Sequence, residues 1–208
     1  MFLRTERSLK EFYHLYPVVS ILTIINFSIW LLINLPLGNI SNIIVNVGIG
    51  HNLLVSQGEI WRLFTPIFLH LTLTHVLFNS FSLVIFGPAL ERMLGKSKFL
   101  AIYLITGIVG NIGTYVINPL SLTPHLGASG AIYGLLGLYL YMVVFRKDLM
   151  RPTDAQIVII ILVIGLIMTF IGAGINRAAH VFGGIGGFAL GPLLFGRSNS
   201  SNTVHFGT

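Results

Sequence analysis

His70, His75 and His180 are the side chains titrating near neutral pH that lie within the long apolar runs of this 208-residue sequence. An imidazole shielded from water can take up and return a proton near neutral pH, so each is a candidate base for a nearby nucleophile. The six carboxylates, Glu6, Glu11, Glu59, Glu91, Asp148 and Asp154, fall in loops or at segment ends, and no lysine lies well inside an apolar run. This distribution excludes a pair of buried aspartates and a serine–lysine pair, and it removes the carboxylates that proton-driven transport uses. The absence of cysteine excludes thiolate chemistry and disulfides. No H-E-x-x-H occurs, and His70 and His75, five residues apart, are expected to diverge around one helix, so neither a metal nor another cofactor is expected. Ser129 stands in the run Gly127-Ala128-Ser129-Gly130 at the start of another apolar segment. By itself, a serine there is usually a cap or a small packing residue, and a buried histidine is usually a satisfied hydrogen-bonding group. Ala131 occupies the final glycine of the soluble G-x-S-x-G elbow, so that motif is not matched.

The elements that would position these groups follow from composition. Hydrophobic residues make up 54% of the chain and charged residues 9%, and the mean hydropathy is +0.87. A soluble domain carries about 25% charge, so the chain is expected to be an all-α, multi-pass integral membrane protein. Apolar segments can be drawn at 17–36, 67–88, 99–117, 127–145, 156–174 and 177–196, each long enough for a transmembrane helix. This predicts a six-helix membrane domain over 17–196, flanked by an N-terminal segment 1–16 and a polar tail 197–208. The first run lacks a small-residue cleavage pattern and is expected to be retained. Gly172, Gly174, Asn176 and Arg177 supply the break between the last two segments.

A cytoplasmic N-terminus places Arg4, Arg7, Lys10, Arg92, Lys96, Lys98, Arg146, Lys147, Arg151 and Arg197 inside and leaves Arg62 and Arg177 outside. The positive-inside rule therefore predicts two cytoplasmic termini. The net charge of +6 is spent on this orientation, and nucleic acid is excluded as a partner. The long external connection 37–66 is expected to form short interfacial pieces, with Trp61 at headgroup depth and Arg62 snorkelling from it. Ser129 and His180 lie two or three residues from the external starts of their segments and so share a depth of about 3–5 Å. His75 and Asn79 reach that depth only if their helix starts later than residue 67. Gly130, Gly134 and Gly137 on one segment, and Gly183, Gly187 and Gly191 on the other, form small-residue faces that let two membrane helices nearly touch.

These residues resemble the rhomboid family of intramembrane serine proteases over nearly the whole chain. Gly127-Ala128-Ser129-Gly130 is similar to the family's G-x-S-G, and His75-Val76-Leu77-Phe78-Asn79 to its H-x-x-x-N. Ala179-His180 with Gly183 and Gly187 is similar to A-H-x-x-G-x-x-x-G, and Trp61-Arg62 to a W-R pair in the first external loop. The resemblance implies a rhomboid-like bundle in which Ser129 is the nucleophile and His180 its general base, a dyad without an acid. It implies an oxyanion hole from His75, Asn79 and the Ser129 backbone N–H. Tyr133 resembles an aromatic that stacks on the histidine, and His70 one at the mouth of the site, where Thr72, Thr74 and Ser80 are expected to help water enter. The Gly-rich end of the fifth segment agrees with a mobile gate. Implied substrates are single-pass membrane proteins cut near or within their spans at small side chains, in a bacterial cell membrane. Two rival readings remain: an inactive relative that escorts membrane proteins, which should lack the serine or histidine, and a small transporter, which should show two mirrored halves.

Overall fold

A computed structural model describes residues 8–36 and 38–196. The basic residues Arg4, Arg7 and Arg197 and the polar tail 197–208 lie outside the described residues. A short helix, α1 (Leu9–Leu15), capped by Ser8, precedes the first span. Among the described residues, five helices are long and apolar enough to cross a membrane: α2 (Pro17–Asn34), α5 (Leu73–Leu94), α6 (Lys96–Ile117), α8 (Pro152–Ile171) and α9 (Arg177–Phe195). The sixth, α7 (Ser129–Phe145), has 17 residues. Its length of about 26 Å is less than the ~30 Å hydrocarbon thickness. A helix this short between longer ones has room for its first residue to sit below the membrane surface. The fold is thus the expected all-α membrane bundle, with one isolated backbone bridge, Gly50 to His125, among the described residues.

Lipid chains are as apolar as leucine, so membrane helices associate through close packing and internal polar contacts. The glycine faces supply the packing between α7 and α9. A Cβ at Gly183 would overlap the Gly130 carbonyl, one at Gly187 the Gly134 carbonyl, and one at Gly137 the Gly184 carbonyl. A further small face on α6, not singled out from sequence, does the same: a Cβ at Gly110 would lie 2.7 Å from the Ala179 carbonyl oxygen. The core around these contacts holds Phe99, Tyr103, Leu135, Leu138, Tyr139 and Met142, all fully buried. In contrast, α8 exposes Ile160, Ile164, Ile167 and Ile171 and buries only Asp154, Val158 and Thr169.

Two segment expectations change. The second span begins at Leu73, not 67, because Thr65–Phe68 is a separate turn of 3-10 helix and Thr72 caps the new helix by accepting from the His75 N–H at 3.2 Å. It also continues through Pro88 to Leu94, ending at Gly95 with φ +80°. The fifth span begins at Pro152, earlier than 156, since proline suits a first helical position. The break before α9 forms where expected, with Gly174 at φ +71° and Asn176 capping through the Ala179 N–H.

The long connection between α2 and α5 contains α3 (Ile40–Gly48) and α4 (Asn52–Ser56). The last carbonyls of a helix lack intrahelical donors and need others. Around the end of α3, Arg62 donates to Asn46 O at 2.8 Å and Ile49 O at 2.7 Å, Trp61 to Val47 O at 3.2 Å and Thr65 to Gly48 O at 2.7 Å. Arg62 is 4% exposed and pairs with Glu59, so the expected snorkelling is not seen. Its guanidinium is held inward because those carbonyls are there to be satisfied, while Trp61 stays exposed.

At the opposite end of the bundle, the buried Glu91 carboxylate accepts from the Val18 and Val19 N–H groups, both at 2.9 Å, at the N-terminus of α2. Each charge-assisted bond to an otherwise orphaned amide ties the first span to α5. Glu91→Ala is expected to lower stability by about 3 kcal/mol, read as a fall in the thermal midpoint in detergent; an unchanged midpoint would contradict this anchoring role.

Candidate active site

Ser129 is the first residue of α7, and its Oγ lies 2.8 Å from His180 Nε2. This contact follows from the glycine packing, since His180 is on the turn of α9 just before Gly183, which rests on the Gly130 carbonyl. His180 is 8% exposed, and Tyr133 stacks on it with ring centroids 4.1 Å apart at 14°. The stacking expected of Tyr133 is therefore present in the geometry.

The later start of α5 makes His75 its third residue, so His75, Ser129 and His180 all lie within about 5 Å of the starts of their helices. Gly127 takes φ +118°, a conformation open to glycine, and a Cβ there would lie 2.6 Å from the His75 ring and 3.6 Å from Asn79 Nδ2. Both side chains thus face the backbone just before Ser129. Asn79 Nδ2 is buried and has no hydrogen-bond partner among the described residues. First-turn amides of α7 also lack intrahelical acceptors, so donors converge beside the serine from two elements.

The segment leading into Ser129 is held by the connection between α2 and α5. Gly50 and His125 exchange two backbone hydrogen bonds of 2.9 Å, and the Gly127 N–H donates to Pro66 O at 2.9 Å. His70 is fully buried, and its Nε2 accepts from the Ala128 N–H at 3.4 Å. The expectation that His70 and His75 diverge around one helix is overturned: their rings meet edge to face with centroids 4.9 Å apart. His70 lies in the extended link before α5, which turns it back toward the helix. Of the hydroxyls assigned to water entry, Thr72 caps α5 and lines the cavity, Thr74 is exposed, and Ser80 Oγ is buried without a partner among the described residues.

A cavity of about 1100 Å³ opens beside Ser129, lined by Thr72, His75, Asn79, Arg177 and His180 and reaching His125 in the loop before α7. Sequence reading missed Thr169. It is 1% exposed, and its Oγ1 lies 2.8 Å from His180 Nδ1 and 2.8 Å from the Tyr133 hydroxyl. Among the described residues no three His, Asp or Glu side chains converge as metal ligands would.

A helical membrane bundle with a serine on a histidine, beside converging donors, has the parts of an intramembrane serine hydrolase. Comparison with known proteins names the family. The Rhomboid domain model matches residues 57–197. The putative rhomboid protease YdcA of Bacillus subtilis is 48% identical over 190 residues, covering 91% of this chain and 94% of the relative. Rhomboid protease GluP of the same organism is 42% identical over 145 residues, 70% of this chain and 28% of GluP. Rhomboid-like protease 1 of Toxoplasma gondii is 33% identical over 166 residues, 76% of this chain and 55% of that protein. The chain belongs to the rhomboid family, whose members are intramembrane serine proteases.

Burial beside His51 lowers the pKa of His125 from 6.5 to about 4. The folded protein therefore holds this ring neutral, while the unfolded chain takes up a proton below about 6.5. Its contribution to stability is complete above that pH and is lost as pH falls toward 4. The thermal midpoint should fall over this window, and fall less in His125→Gln; equal losses in the two proteins would contradict the assignment.

Proposed function

We propose that the chain is a serine endopeptidase that hydrolyses peptide bonds in or near the transmembrane segments of single-pass membrane proteins through a Ser129–His180 dyad. The observation that carries this reading is the 2.8 Å contact between Ser129 Oγ and His180 Nε2 beside the His75 and Asn79 side chains. His180 Nε2 accepts the proton as Ser129 Oγ bonds to the scissile carbonyl carbon. The carbonyl oxygen becomes an oxyanion, stabilised by the Ser129 N–H, Asn79 Nδ2 and the His75 ring. Collapse breaks the C–N bond, and His180 passes its proton to the leaving amine. Water entering through the cavity then gives a proton to His180 and attacks the acyl-enzyme, releasing the acid and restoring Ser129.

The positions of Arg92, Lys96, Lys98, Arg146, Lys147 and Arg151 support cytoplasmic termini, with the site opening to the outside of a bacterial cell membrane. Such a site meets substrate spans near their external ends, where hydrolytic water is available. The preference for small side chains at the cleaved bond follows from the family resemblance.

Ser129→Ala and His180→Ala are each expected to abolish cleavage of a model single-pass substrate in proteoliposomes. Wild-type cleavage by either variant would overturn the dyad. His75→Ala and Asn79→Ala should each lower kcat by about 10²–10³, and an unchanged kcat for either would remove that residue from the oxyanion site.

A further inference from the structure

Thr169 is a polar residue on a helix whose other buried side chains are Asp154 and Val158, close to its opposite end. Its hydroxyl meets three partners: Gly165 O at 2.7 Å, His180 Nδ1 at 2.8 Å and the Tyr133 hydroxyl at 2.8 Å. A threonine hydroxyl has one proton to donate and two lone pairs to accept with. The Gly165 carbonyl can only accept, so the threonine proton goes there, in the back-bond to residue i−4 usual for threonine in helices. The other two partners must then donate to Thr169 Oγ1. One is the Tyr133 O–H, and the other is an Nδ1–H on His180.

We infer that Thr169 is a positioning residue for catalysis, taking the place an acid holds in a triad: its Oγ1 accepts from His180 Nδ1–H and keeps Nε2 unprotonated toward Ser129. This deepens the proposed function and rests on the Ser129–His180 dyad. With Nδ1 protonated in the neutral ring, Nε2 is the lone acceptor, as removal of the Ser129 proton requires. Tyr133 supports the same arrangement twice, stacking on the ring and directing its hydroxyl to the oxygen that orients it. Thr169 is also the only buried residue in the outer half of α8. Displacement of that half of the helix takes the acceptor away from His180, so the base is set in its working tautomer only when α8 is in place.

Two measurements test this. In wild-type protein with 15N-labelled histidine, assigned by loss of the signal in His180→Ala, the neutral His180 ring should carry its proton on Nδ1; a proton on Nε2 would overturn the inference without any Thr169 variant having to fold. In the cleavage assay, Thr169→Val keeps the shape and loses the acceptor, and should lower kcat by about 10- to 100-fold with KM little changed. Thr169→Ser keeps the hydroxyl and should retain kcat within about threefold. A Thr169→Val enzyme with wild-type kcat, or a Thr169→Ser enzyme as slow as Thr169→Val, would overturn the role. Failure of the dyad itself shows separately, as cleavage that survives Ser129→Ala.

Discussion

The structure depends on the backbone-to-backbone contact of α7 and α9. Gly183 rests on the Gly130 carbonyl and Gly187 on the Gly134 carbonyl, with no side chain between them. In a bilayer this contact replaces the hydrophobic drive that water would supply, because lipid solvates leucine as well as another helix does. It also sets the 2.8 Å distance between Ser129 Oγ and His180 Nε2. Any Cβ at these glycines pushes the helices apart, and a displacement of about 1 Å is enough to spoil a hydrogen bond between a serine and a histidine. The packing glycines are therefore as much a part of the site's geometry as Ser129 and His180 themselves.

Around that contact the chain meets a second demand, that polar groups in and near lipid find partners within the protein. Trp61, Arg62 and Thr65 donate to the carbonyls at the end of α3, Asn52 to Thr114 O and Asn118 O at the end of α6, and Glu91 accepts from the start of α2. The bonds made by Trp61, Arg62, Thr65 and Asn52 fix the connection between α2 and α5 against itself and the bundle, and the Gly127 N–H is held by Pro66 O. In contrast, Asn79 Nδ2 remains without a partner among the described residues, and Asn79 lines the same cavity as Ser129.

Much of this was legible in the sequence because lipid imposes simple rules. Apolar length marked the six helices, and glycine spacing marked the α7–α9 contact and, with it, the meeting of Ser129 and His180. What escaped depended on departures from helical periodicity. The turn at Thr65–Phe68 moves the start of α5 by six residues, and with it the depth of His75 and the direction of His70. Arg62 read as an interfacial cation because nothing in its own neighbourhood reveals the carbonyls of α3, 13 and 16 residues away, that it serves. Thr169 escaped for a related reason. In a helix apolar on all sides, one hydroxyl has no visible direction, and only the packing of α8 turns it toward His180.

The central claim is that Ser129 is a nucleophile activated by the fold around it. Its most direct test is a serine-directed fluorophosphonate applied to the folded protein in detergent, with the modified peptide located by mass spectrometry. The adduct should fall on Ser129 and should not form once the protein is denatured. Modification at another residue, or equal labelling of folded and unfolded chains, would contradict the account.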